Sequence, residues 1–417
     1  MRRQWQSGKR SGTRRTQGGA VAVIVALSLA VLIGVVGLAL DLGKLYIVRS
    51  ELQNSADACA LAAVRDLTGA TINLSVSEAA GITAGSLNRV FFQSTGVQLA
   101  TDSNVTFSDS LTNPFLPKGS VANPSTIKYV KCTTSLSNVA NWFAQVLNVL
   151  PGNSVANASV STMAVATISP AQTTCAIPVF VCKAGTQVSP PIAGQSYTRG
   201  QWIASKTGSP PIYGPGNFGW AALDGSNNAN SIRDELTGNY CALPAVGSSV
   251  GSPGNKITDT GAWNSRFGIY ANPYSQSADT PDFTGFAYTP YSWSPGSNAY
   301  SDFVSKRSTF TPYQGDAAAF RGTATTKGSS STTTYSAGAD RRLALAPEVD
   351  CTQLLSGHKA NILWWDCVLM LDPMDKAGDA VHLEYEGKST DASVPCATAG
   401  IPGDGSSVGP LVPVLVQ

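Results

Sequence analysis

Residues 18–40, GGAVAVIVALSLAVLIGVVGLAL, carry no charged side chain. An α-helix rises about 1.5 Å per residue, so this run is long enough to cross the ~30 Å hydrocarbon core of a bilayer. Lipid offers nothing to pair with an exposed backbone amide, and a lone apolar run of this length is therefore predicted to be helical. The pattern changes at Asp41. Over DLGKLYIVRSELQNSADACALAAVRDL, Leu45, Leu52 and Cys59 recur every seventh residue, with Val48, Ser55 and Ala62 between them. That is the period of a packed helix seam. The spacing predicts one continuous helix that leaves the membrane and runs on for about four or five turns.

Burial of the seam leucines is worth about 1.5–3 kcal/mol each, and Ala56, Ala60 and Ala63 on its flank permit close helix approach. The expected partner-binding face is therefore Leu45, Val48, Leu52 and Cys59, with Asp41 at the membrane boundary. Packing of this face on the helix's own domain is the alternative. A charge at the depth of Asp41 is costly alone, which suits it to pair with a basic group or amine.

Residues 69–170 read as a small α+β domain. Leu74 to Asn88 is predicted helical, and Val97–Leu99 and Val105–Phe107 are strand pieces. Thr126–Cys132 alternates as a half-buried strand does. Asn138 to Leu150 places Val139, Trp142, Phe143, Val146, Leu147 and Leu150 on one helical face, stopped by Pro151-Gly152. Val155 to Ile168 is β-branched at alternating positions and completes a strand–helix–strand unit. Beyond Pro170 the texture changes. Short apolar runs at 177–181, 218–223, 343–346 and 362–371, punctuated by Gly, Pro and Ser, predict a β-rich domain over 171–417. Segments 246–256 and 322–340 are low-complexity loops. The aromatic residues between Tyr197 and Tyr313, Trp202, Trp220, Trp263 and Trp293 among them, are expected to fill a core rather than form a sugar-stacking or protein-binding platform.

Charge sets the orientation. Arg2, Arg3, Lys9, Arg10, Arg14 and Arg15 precede the apolar run with no acidic residue among them. Short basic flanks stay cytoplasmic, so residues 1–17 form a cytoplasmic tail, 18–41 the membrane helix and 42–68 its extracytoplasmic extension. The rest of the chain is expected outside the cytoplasm, in the periplasm of a cell with an inner membrane. A cleaved secretory signal would have a shorter apolar region ending in small residues. Six of the 28 basic residues lie in that tail against 26 acidic residues overall, so the exported part is net acidic. It has no basic field for nucleic acid. The low charged fraction, 13%, together with abundant Gly, Ser, Thr, Asn and Pro, suits an exported, loop-rich protein.

The eight cysteines form no C-x-x-C pair, and the chain has two histidines, His358 and His382. Close ligand pairs for zinc are missing, and disulfides in an oxidising compartment are the better reading. At least three are expected among Cys132, Cys175, Cys182, Cys241, Cys351, Cys367 and Cys396, with Cys59 either a free thiol or a partner of Cys132. Cys175 and Cys182 pair only if Pro178 turns the chain, since an extended strand holds them ~23 Å apart.

Apparent chemical motifs carry little. Gly214 to Gly219 matches G-x-G-x-x-G without the strand and helix that cradle a pyrophosphate, and is read as a turn. Gly247–Gly251 and Gly405–Gly409 match G-x-S-x-G. Prolines follow both, so neither launches the helix of a nucleophile elbow, and a hydrolase using Ser249 with His358 or His382 is disfavoured. Asp224, Ser226, Asn228, Asn230 and Glu235 stand at positions 1, 3, 5, 7 and 12 of an EF-hand-like count. They are a weak calcium candidate, because Ala229 occupies the glycine position. The competing reading is a polar loop in which Asn230 or Ser231 caps a short helix, Ile232 to Leu236.

The amino-terminal stretch resembles TadG-like proteins of the tight-adherence (Flp, type IVc) pilus machinery. The residues that carry the resemblance are GGAVAVIVALSL after the arginines, Leu40-Asp41-Leu42-Gly43, Arg49 with Leu52-Gln53, and Asn54 to Ala58 followed by Ala60-Leu61-Ala62. Cys59 stands where the family usually has a small residue. Looser landmarks lie at Gly216–Trp220 and from Cys351 to Leu369. No D-x-S-x-S begins at Asp102, Asp109, Asp224, Asp391 or Asp404, so the metal site of a von Willebrand A domain is not implied. The resemblance implies an uncleaved anchor: the fifth residues after Gly18 and Gly19 are Val23 and Ile24, not the glutamate of prepilin substrates. It also implies a non-catalytic, cofactor-free component acting on pilus-assembly membrane proteins or pseudopilins, with membrane lipid around the anchor and homo- or hetero-oligomers possible. A membrane-anchored adhesin or cell-wall-binding protein is the alternative.

Overall fold

The computed structural model describes residues 18–68, 73–149, 154–186, 196–206, 213, 216–226, 228–238, 241, 243–256, 259–289, 292–294, 297–315, 331–374, 381–404 and 406–417. Two compact units share the chain: one takes residues up to Ile168 together with Pro413–Gln417, the other Ser169–Val412.

The first unit is built on α1, Gly18–Arg65, the single uninterrupted helix that the sequence predicts. Its upper half packs on α2, Leu74–Ser86, which is N-capped by the Asn73 side chain on the Ser75 and Val76 amides. A two-residue hairpin, β1 Arg89–Val90 and β2 Thr95–Gly96, follows. An antiparallel sheet of β3 Val105–Ser108, β4 Tyr129–Val139 and the part of β5 (Ala158–Thr173) through Ile168 completes the layer. The chain end returns here, with the amides of Val416 and Gln417 donating to the Val165 carbonyl.

Ala56, Cys59, Ala60, Ala63 and Val64 of α1 meet Phe107, Val130, Cys132, Ala164 and Ala166 of the sheet in one core. Val48 and Leu52 meet Val90, Val97 and Val139 in a second. The helices approach closely because α2 presents Gly81 and Gly85. A Cβ at Gly81 would lie 2.9 Å from Ala63 Cβ, and one at Gly85 2.5 Å from Leu99 Cδ1. Ser55 Oγ donates to the Gly85 carbonyl and Ser77 Oγ to that of Ala63, at 2.9 and 2.7 Å, which satisfies both hydroxyls across the contact. Gly85→Val is therefore expected to destabilise this unit by about 1–3 kcal/mol through overpacking. Urea unfolding checks this, and an unchanged midpoint would show that the helices are not held at this spacing.

The second unit centres on a sheet of β6 Val181–Cys182, β7 Gln201–Ala204, β8 Ser249–Val250, β9 Leu343–Val349, β10 Ala360–Met370 and β11 His382–Lys388. Their order is β6-β9-β10-β11-β7, with β8 on β10. Among these described strands only the β6–β9 pair is parallel. All seven residues of β9 are buried. Leu343, Leu345, Ile362, Cys367 and Leu369 face one core, while Ala344, Ala346, Val368 and Met370 face another. Cover on both faces is why these strands read as unbroken apolar runs rather than alternating ones. Helix α3, Ala229–Thr237, and α4, Thr260–Ser265, give Ile232, Leu236, Ala262 and Trp263 to the second core, and α5, Tyr300–Ser308, gives Phe303 to the first. Trp220 and Trp263 are wholly buried, and Trp202 and Trp293 half-buried.

All eight cysteines pair, as Cys59–Cys132, Cys175–Cys241, Cys182–Cys351 and Cys367–Cys396, and none is free. Cys59 is thus not a thiol, and Cys175 does not pair with Cys182. Three local expectations also fail. The helix over 138–150 is replaced by β4 running to Val139, a bulge with Asn138 at φ +59°, and a 3-10 helix at Ala144–Val149. Apolar periodicity specifies a helix face only where something apolar covers it; here Val139 enters a core from β4, while Trp142, Phe143 and Val146 stay exposed. Val97–Leu99 lies just past β2 rather than in a strand. In the 322–340 loop, Thr332–Ser336 is helical, and residues 322–330 lie outside the described residues.

Candidate functional site at the membrane junction

Val21 to Leu40 meet solvent along the whole helix except at one point: among these residues Gly37 alone is buried. Phe143 covers it. A Cβ on Gly37 would lie 2.8 Å from Phe143 Cβ, so only glycine admits the ring there. One turn on, the Asp41 side chain is buried and its Oδ2 accepts from the backbone amides of Phe143 and Ala144 at 2.9 and 2.8 Å. Those are orphan donors at the start of the 144–149 turn, so Asp41 is a capping acceptor reaching in from another element. Oδ1 is buried with no partner among the described residues.

Lys44, also buried, donates to the Ala140 carbonyl at 2.6 Å and lies over the Trp142 and Phe91 rings at 4.0 and 4.8 Å. Its ammonium is thereby paired by a carbonyl and two ring faces with its stem along apolar surface. Asp41 and Lys44 together clamp segment 140–149 to the helix where it leaves the apolar run.

The expected partner-binding residues are placed inside the first unit. Val48, Leu52 and Cys59 are wholly buried in its cores, Leu45 is partly buried against the Val48 cluster, and Asp41 caps the 144–149 turn. A strict seven-residue reading also drifts from a straight 3.6-residue helix. The buried line turns from Lys44 through Val48, Leu52, Ser55 and Cys59 to Ala63, and leaves Ala62 half-buried. The exposed line just past the apolar run is Leu42, Tyr46 and Arg49, outside the predicted seam. Its signal was available: on a helical wheel Tyr46 lies about 140° and Leu42 about 100° from the seam.

The calcium candidate is organised around backbone. Glu235 Oε1 accepts from the Leu223 and Asp224 amides, Asp224 Oδ1 from that of Ser226, Ser226 Oγ from that of Asn228, and Asn228 Oδ1 from that of Asn230. These oxygens act as turn acceptors and, at Asn228, as the cap of α3, so the cap lies two residues before the expected Asn230. No group of three metal-ligating acids, histidines or cysteines occurs among the described residues.

Ser249 does not meet a histidine–acid pair. His382 Nδ1 contacts Asp372 Oδ2 at 2.8 Å, but Ser249 pairs with Asn361 and His382 lies beside Leu371. Ten residues of strand separate those registers by roughly 33 Å. Of the G-x-G-x-x-G match, Gly216 and Gly219 are turn residues at φ +76° and +97°, and Gly214 lies outside the described residues.

Among the described residues one helix is long and apolar enough to span a membrane, and it is continuous with a folded unit, as in a single-pass anchor. Residues 19–66, nearly the whole of this helix, match the family model of putative Flp pilus-assembly TadE/G-like proteins. No curated protein and no solved structure matches the chain.

Proposed function

We propose that the chain is a non-catalytic, membrane-anchored component of a tight-adherence (Flp) pilus assembly system that works by protein–protein contacts. The carrying observation is coincidence: the family match, 19–66, is the same stretch as the helix that crosses the membrane and forms the core of the first unit. The basic residues before Gly18 orient it with both units outside the cytoplasm, at the inner membrane. Because the inner line of the helix is covered, partners are met through the exposed line of Leu42 and Tyr46 and through the lipid-facing residues below it.

Photo-crosslinkers at Tyr46 and Val35 in piliated cells test this. Capture of other pilus-assembly membrane proteins or pseudopilins, and loss of surface pili on deletion, are expected. Normal piliation without the protein, with binding of deletion cells to surfaces or wall fragments reduced, would instead identify an adhesin or cell-wall-binding protein.

A further inference from the structure

Trp142, Phe143 and Val146 are 62%, 41% and 64% exposed, an unusual density of open apolar surface on one turn. The same turn is two-sided. Gln145 Nε2 donates to Asn157 Oδ1, Asn148 Nδ2 to the Val155 carbonyl and Asn141 Nδ2 to that of Ala156, so its polar side chains are held by the first unit. Phe143 and Val146 instead face the apolar run of α1. Ala30, Ile33, Gly34, Gly37 and Leu38 line a groove on the anchor with Phe143 and Val146.

At about 1.5 Å per residue, Gly37 and Ala30 lie roughly 6 and 16 Å to the membrane side of Asp41. Residues 21–40 together span about 30 Å, the hydrocarbon thickness. With Asp41 at the boundary, the groove falls within the outer half of the bilayer; contact with Gly37 fixes Phe143 at that depth, and Val146 lines the same groove. Trp142, over the Lys44 ammonium, stands at headgroup level, where amphipathic rings and snorkelling lysines collect.

We propose that residues 142–149 are a second membrane-inserted element, a capped apolar turn seated among outer-leaflet acyl chains beside the anchor, with Asp41 as its positioning residue. The occupant of the groove is lipid because the groove is continuous with the lipid-exposed face of the anchor. The proposal rests on the anchor reading.

The test uses the full chain in nanodiscs of phosphatidylcholine and phosphatidylglycerol. The native cysteines are all paired, so Val146→Cys, Val35→Cys and Leu111→Cys each add one reactive thiol for a nitroxide label. Oxygen accessibility relative to a water-soluble nickel chelate reads depth. The ratio at Val146 is expected near that at Val35 and at least threefold above that at Leu111, an exposed apolar position on the same unit. Adding Asp41→Ala is expected to bring Val146 towards the Leu111 value, while Asp41→Asn, which keeps an acceptor oxygen, retains most of the depth. A Val146 ratio equal to that of Leu111 overturns the proposal. So does dipolar broadening at Val146, which would place a second copy in the groove. Failure of the anchor reading itself appears separately, as an aqueous Val35. An Asp41→Ala protein with unchanged Val146 depth removes Asp41 from the positioning role.

Discussion

A Cys59→Ala, Cys132→Ala double variant is expected to unfold its first unit with about 2–4 kcal/mol less free energy than the parent protein. The bridge joins α1 to β4 across 73 residues of sequence, and both sulfurs are wholly buried. Cross-linking a loop of that length removes much of the unfolded chain's freedom. The same bond fixes the helix seam on the sheet at the level of Ser55 and Ala63, where small side chains leave little area to hold it otherwise. Cys367–Cys396 closes only 29 residues, and loop-closure entropy makes its loss about 1 kcal/mol milder. Calorimetry of the full chain reads both variants. A first-unit transition that does not move would mean the helix is held on the sheet by packing alone.

The second unit is expected to be more stable at pH 5 than at pH 8. Glu235 and Glu386 are almost fully buried, and burial pushes each carboxyl up to about 7. The Asp224 and Leu223 amides oppose this at Glu235, as does Arg199, 2.9 Å away, at Glu386, whereas neighbouring Glu384 reinforces it. Burial likewise raises Asp366 and Glu348. For an acid raised above its ordinary value near 4.5, the folded state holds the proton more tightly than the unfolded chain. The stabilisation is complete below about pH 4.5 and is lost as pH rises to about 7, worth about 3 kcal/mol for each of Glu235 and Glu386. His382 acts in the same sense: burial opposes its charge, but Asp372 prevails and raises it, so its contribution also fades as pH rises. Glu386→Gln and Glu235→Gln should each flatten the curve between pH 5 and 7. Stability that climbs steadily over that range would show that these acids are ionised in the fold at little cost.

Much of this architecture was legible where the pattern had one physical meaning. The uncharged run to Leu40 and the spacing through Cys59 specify α1 because only a helix meets both the lipid and the core. Leu74–Ser86 and Val105–Ser108 follow from propensity and alternation, and Leu343–Val349 from a continuous apolar run. Cysteine pairing was legible as an oxidised set but not as a connectivity, since Cys175 meets Cys241, and Cys182 meets Cys351, only through the sheet order. The junction was the least legible. Trp142, Phe143 and Val146 have helical spacing, yet their cap comes from Asp41 on another element and none of the three joins a core of the first unit. Sequence reasoning gave Asp41 a partner outside the chain, while the amides of Phe143 and Ala144 meet it from within, about a hundred residues away.

The unbroken helix from Gly18 to Arg65 has a mechanical consequence. Its 48 residues make a rod of roughly 70 Å with no proline to hinge it. One end is the uncharged run to Leu40 and the other is riveted by Cys59 to the sheet. A rotation or piston stroke imposed on the anchor by a neighbour in the membrane would therefore arrive at the first unit as torque or thrust, with little lost to bending.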